Sequence, residues 1–158
     1  MSARNTLIDM SKVTHDDIVY LAGLIDGDGS IHISPRIIRD GRQSRSYGMN
    51  LSIHCIEKSL IDWVFDVFGG VRCQLNKKPP RRSLYGVQIT GNRLTQLIEL
   101  LLPYLKLKRP HAINMLEIRK TYDGIGGRKP VPPEVEEIRF RCLLKARELN
   151  SHKTIPKD

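Results

Sequence analysis

Between Thr14 and Ile37 the apolar spacing changes from a helical period to an alternating one across a short run of glycines and aspartates. A chain satisfies both patterns only by passing from a helix into a strand at that point. Thr14 with Asp17 three residues on is a variant capping box, and Ile18, Leu21, Ala22 and Ile25 recur at three and four, which predicts a helix over 15–25. Val19, Tyr20 and Leu24 leave little of its circumference polar, so the helix is expected to be buried on most sides. After Gly29, Ile31, Ile33 and Ile37 alternate with His32, Ser34 and Arg36, as in a half-buried strand.

The same alternation returns three times. A polar, basic loop over 40–48 separates the first strand from a second, where Leu51, Ile53 and Cys55 oppose Asn50, Ser52 and His54. A helix follows over 59–68, with Leu60, Ile61, Val64, Phe65 and Phe68 on one face and Gly69 as its stop. In the next hairpin Val71, Cys73 and Leu75 alternate with Arg72, Gln74 and Asn76, and Tyr85, Val87 and Ile89 with Leu84, Gly86 and Gln88, around a basic tip over 76–82. Helices then run to Pro103, from Pro110 to the glycines at 124–127, and over 132–150. This order predicts an α+β chain with one antiparallel four-stranded sheet, organised as a single domain over 1–158 with a core at 14–122 and a C-terminal helix at 132–150.

A chain of 158 residues can bury about 70% of its unfolded surface, enough for a core without disulfides. Cys55, Cys73 and Cys142 are odd in number and widely spaced, which suits small thiols in a reducing compartment rather than bridges or a zinc site. No apolar run approaches a membrane span, and the N-terminus lacks the pattern of a secretory signal, so the chain is expected to stay where it is made. A formal charge of +9 favours nucleic acid over a membrane surface, because no helix pairs a basic face with a bulky apolar one.

Two features make the sheet's polar side a candidate nucleic-acid surface. His32, Ser34, Arg36, Asn50, His54, Arg72, Gln74, Asn76 and Gln88 are placed there by alternation, with acidic residues almost absent. Lys77, Lys78, Arg81 and Arg82 crowd one hairpin tip, where phosphates would lie. Against this stands the fact that any antiparallel sheet with one wet face is polar on that side.

The aspartates of "LAGLIDGDGSI" are the remaining chemistry. A carboxylate in the last turn of a helix opposes the helix dipole, so Asp26 and Asp28 either attract a hard divalent cation or cap turns before the strand. Gly23 and Gly27, with Ala22, form a small-residue face that admits close helix packing.

The nine residues Leu21 to Gly29 resemble the signature of the LAGLIDADG homing endonucleases, and the element order resembles that family's αββαββα layout. "PYLKLKRPHA", 103–112, is similar to the segment that carries a catalytic-site lysine in its single-motif members. The resemblance implies a homing-endonuclease fold with a saddle-shaped antiparallel sheet and helices on one face. It implies a homodimer joined through Ala22, Gly23 and Gly27, since only one signature occurs. It further implies that Asp28 and the carbonyl of Gly27 hold Mg²⁺, with Mn²⁺ as an alternative and Ca²⁺ as a non-cleaving substitute, which leaves Asp26 to pack or cap near the end of its own helix. Lys108, with Lys106 as its competitor, would sit beside the attacking water. Glu57 falls where relatives often have a glutamine, and Ile61 where some have a basic residue.

The expected activity is Mg²⁺-assisted hydrolysis of both strands of double-stranded DNA across the minor groove of a long, pseudo-palindromic site, leaving 3′ overhangs. The family's occurrence implies an organelle or a prokaryotic or archaeal cytoplasm. The competing readings are a non-cleaving DNA-binding regulator or RNA-splicing maturase on the same scaffold, and a basic structural protein, which would explain the charge but not the signature.

Overall fold

In a computed structural model, residues 6–37, 43–123 and 131–151 are described. Thr14 starts the first helix, α1 (His15–Asp28), through the capping box expected of it: its Oγ1 accepts from the Asp17 N–H at 3.1 Å, and Asp17 Oδ2 accepts from the Thr14 N–H at 2.9 Å. The helix runs one turn past Ile25 and takes in both aspartates before passing directly into β1 (Gly29–Ile37). That junction requires a glycine. A Cβ at Gly29 would lie 2.6 Å from the Ile25 Cα, while the Gly29 N–H closes the helix on the Ile25 carbonyl.

β2 (Gln43–Cys55), α2 (Lys58–Phe68), β3 (Val71–Leu75), β4 (Leu84–Ile89), α3 (Gly91–Leu101), α4 (Arg109–Lys120) and α5 (Pro133–Asn150) follow. The loop predicted over 40–48 is shorter than expected, because residues 43–48 already belong to β2, and its tip lies outside the described residues. The linker at 124–130 also lies outside them. The strands form one antiparallel sheet in the order β1-β2-β4-β3, so β1 and β3 are its edges.

Register fixes the faces. Ile31 pairs with Leu51 and Leu51 with Ile89, while Ile53 pairs with Val87, which puts these apolar side chains on the helix side, where each is at most 3% exposed. Leu21 and Ile25 of α1, Ile61, Val64 and Phe68 of α2, and Leu94, Leu97, Ile98 and Leu101 of α3 complete this core. Ile61, where a basic residue was noted in relatives, is thus a core position. Gly69 and Gly70 take φ of 74° and 113° at the turn out of α2, a conformation glycine adopts at little cost.

The last two helices form a lateral buttress. Asn114 donates to the Cys142 carbonyl at 2.9 Å, and the buried Arg139 of α5 donates to the Thr121 hydroxyl and carbonyl, both at 2.8 Å, while stacking 3.7 Å over the Tyr122 ring. Tyr122 in turn accepts from the Tyr47 N–H of β2 at 3.1 Å, tying the buttress to the sheet. No helix among the described residues is long and apolar enough to cross a membrane.

Candidate active site and nucleic-acid interface

The two aspartates at the end of α1 have separate surroundings. Asp26 is half-buried and faces the turn before α4: Oδ2 accepts from the Lys106 N–H at 2.7 Å and Oδ1 from the Lys108 N–H at 2.8 Å. Partial burial works against its charge. The peptide N–H groups of Lys108, Lys106 and Leu107 and the Lys108 charge outweigh that effect and hold the carboxyl below its ordinary value. Asp28, two residues on, is exposed at the mouth of the sheet.

Asp26 therefore clamps the turn bearing Lys106 and Lys108 to the end of α1 that bears Asp28. Lys108 is half-buried and is the N-cap residue of α4; Lys106 is exposed. Sequence reasoning assigned Asp26 to packing or capping near its own helix end. Its partners, 80 and 82 residues away, carried no local signal.

Glu57 has surroundings of its own. It is the N-cap residue of α2 and lines a groove with Asp16, Asp17, Tyr20, Leu60 and Trp63, the Tyr20 and Trp63 rings meeting edge-on at 5.2 Å. Asp16 and Asp17 belong to the first turn of α1, and a 14-residue helix puts that turn about 20 Å from Asp28. Among the described residues no hydrogen bond or ion pair joins Glu57 to Asp28 or Lys108, although Glu57 follows the end of β2, whose Ile53 pairs with Gly29 next to Asp28.

The small-residue face is also divided. Ala22 is 1% exposed and packs in the chain's own core, because it follows Leu21 on the inward side of α1. Gly23 and Gly27 are exposed, and a Cβ at either would meet nothing within 4 Å. With Tyr20, 55% exposed, they form an outward stripe at i, i+3 and i+7.

Among the described residues no three His, Cys, Asp or Glu side chains gather as a metal site. A cation at Asp28 would therefore draw on the Gly27 carbonyl, on water or phosphate, and on a second copy of the chain. Such all-oxygen donors fit Mg²⁺, which keeps several waters and uses few carboxylates.

On the open side of the sheet, pairings place His32 opposite Asn50, Ser34 opposite Gly48, Ser52 opposite Gln88 and His54 opposite Gly86. Arg36, at an irregularity in β1, reaches over Gly48. A Cβ at Gly86 would lie 2.7 Å from His54 Nε2 and 2.8 Å from Cys73 Sγ, so its absence lets the imidazole lie across β4, 3.5 Å from that sulfur. Lys77, Lys78, Arg81 and Arg82 are all exposed in the β3-β4 connection, with Asn76 at its start.

β3 is inverted relative to the reading from alternation. Val71 pairs with Gln88 and Cys73 with Gly86, so Val71, Cys73 and Leu75 share the open face. Arg72 pairs with Val87 and Gln74 with Tyr85, which sends both to the helix side. There Arg72 meets Asp62 at 3.2 Å and Asp66 at 3.5 Å and lies 4.2 Å over the Phe65 ring, while Gln74 donates to Asn76 at 2.9 Å. The reason is the edge. The helix side of β3 is covered by the polar flank of α2, so arginine is the residue that fits inward.

No protein-family model and no curated protein sequence matches the chain. Its architecture does match solved structures. The homing endonuclease I-CvuI, solved with the I-CreI target DNA, superposes with a TM-score of 0.67 at 23% identity over 92% of this chain and 88% of that one. The chain has the homing-endonuclease fold. The archaeal intron-encoded homing endonuclease I-Vdi141I, solved with DNA, gives 0.66 at 16% identity, covering 90% and 89% of the two chains. The homing endonuclease I-TnaI gives 0.56 at 17%, covering 89% and 90%. The four-stranded sheet and the helical layer that were expected from the sequence are those of this fold.

Proposed function

We propose that the chain is a homodimeric, Mg²⁺-dependent endonuclease that cuts double-stranded DNA at a long, pseudo-palindromic site and leaves 3′ overhangs. One observation carries this reading: an exposed Asp28 ends the helix that presents the bare Gly23 and Gly27 stripe, and Asp26 fastens the Lys108 turn to that same end. DNA in the similar structures of I-CvuI and I-Vdi141I supports the substrate class.

Pairing two chains along the glycine stripe would bring two Asp28 side chains together at the dyad, one for each strand. Two carboxylates so placed repel unless a cation lies between them, and Asp28 with the Gly27 carbonyl would hold it. When bound, Mg²⁺ supplies charge neutralisation at the phosphate and acidifies water. Lys108 contributes a fixed positive charge to a helix end that otherwise concentrates negative charge. His32, Asn50, His54 and Gln88 offer donors and acceptors to base edges, and the basic connection over 77–82 holds phosphate.

The test uses a randomised duplex library. Purified protein is incubated with it in Mg²⁺, in Ca²⁺ and in EDTA, and both bound and cleaved molecules are recovered. A shared site with 3′ overhangs is expected in Mg²⁺ alone, with binding but no cutting in Ca²⁺. Asp28→Asn is expected to lower cleavage by about a hundredfold or more while sparing binding. Selective binding without cleavage in any metal would establish the non-cleaving regulator instead, and absence of selective binding would overturn both.

A further inference from the structure

The open face of the sheet contains an element that hydrogen-bond readout does not explain. Val71 is 61% exposed and Leu75 48% exposed, both on the side that carries His54 and Gln88, and Leu75 pairs with Leu84 of β4. Apolar side chains of this size stand open to solvent there, Leu75 beside its cross-strand neighbour Leu84, although the chain has ample polar residues elsewhere on that face. They border the basic connection beginning at Lys77.

We propose that Val71 and Leu75 are specificity residues that read thymine methyl groups in the major groove, an inference that rests on the DNA-binding reading above. Charge complementarity selects the occupant, because a row of apolar atoms flanked by lysines and arginines is complementary to a polyanion that exposes apolar points. In a major groove the 5-methyl of thymine is that point. A cytosine or guanine edge would leave its donors or acceptors unpaired against these side chains.

The strand also sets a spacing. Four residue steps of about 3.3 Å separate Val71 from Leu75, and successive bases along a strand lie about 3.4 Å apart. A strand following the groove therefore addresses two thymines about four base pairs apart in each half-site, Cys73 between them being half-covered by the His54 ring.

The experiment selects bound duplexes from a randomised library in Ca²⁺, with the full chain, Val71→Ser and Leu75→Ser. Both positions are exposed, and thermal melting verifies that each variant folds. The full chain should select thymine at two such positions, and each serine variant should lose one preference while the rest of the consensus is retained. Replacing thymine by uracil at those positions in the selected duplex removes only the methyl and should weaken binding about fourfold per site. An unchanged consensus in both variants, or equal binding of the uracil duplex, overturns the proposal and leaves the DNA-binding reading intact. A change of oligomeric state by sedimentation, with the consensus unchanged, would assign the patch to a second copy and overturn it too. Failure of the full chain to select any duplex would overturn the DNA-binding reading itself.

Discussion

Two carboxylates two residues apart differ in their surroundings because, among the described residues, one finds donors and the other does not. Asp26 accepts two peptide N–H groups at 2.7 and 2.8 Å, and its carboxyl is held below the ordinary value of 3.8. A depressed folded-state value means that the stabilisation is fully present above the unfolded value and is lost as pH falls through the folded one. Asp26→Asn, which keeps one acceptor oxygen and loses the charge, should cost about 2 kcal/mol at neutral pH. The deficit should begin to shrink below about pH 4, where the unfolded carboxyl takes up its proton, and should vanish only at lower pH, once the native carboxyl is protonated as well. Denaturant titrations at pH 7 and pH 3.5 measure both. The signature's order of small, apolar and acidic residues made this corner and the separate standing of its two acids legible, whereas the partners of Asp26, on a turn 80 residues downstream, left no local signal.

Secondary elements were readable where both faces of the chain had distinct neighbours. β1, β2 and β4 have an apolar side under helices and a polar side open, so alternation assigned their faces correctly. β3 has α2's acidic flank on one side and open space on the other, and alternation pointed the wrong way. Arg72 therefore belongs to the fold. With its side chain 47% exposed and its ion pairs accordingly weakened, Arg72→Ala should cost about 1 kcal/mol of stability. DNA affinity and consensus should be unaltered, as fluorescence anisotropy on the selected duplex would show. The end of α1 was misjudged by one turn for a related reason. Glycine and aspartate are poor helix formers in isolation, but the Asp26 clamp and the Gly29 N–H bond to Ile25 hold the last turn.

At the scale of the whole molecule, the bare stripe of α1 sets stability against assembly. A Cβ at Gly23 meets nothing in its own chain, so Gly23→Ala should raise the stability of the isolated protomer by about 1 kcal/mol through helix propensity alone. The same methyl would separate two helices packed through this stripe, weakening self-association by about tenfold or more. Sedimentation equilibrium and melting at a concentration where the chain is monomeric would reveal the opposed signs. Unchanged association, whatever the change in stability, would mean that this face is not where two copies meet.

The gap left at Gly86 bears on how such a surface changes over time. His54 from β2 occupies the space over β4 that a side chain at 86 would need, and Cys73 from β3 closes the other flank. A larger residue at any of these positions displaces a neighbour on a different strand, and a smaller one at 54 opens a hole that the other two cannot fill. Three positions far apart in sequence thus behave as one heritable unit. Retargeting the centre of this sheet would proceed by coordinated replacements, while its rim, at Val71 and Leu75, is free to vary one residue at a time.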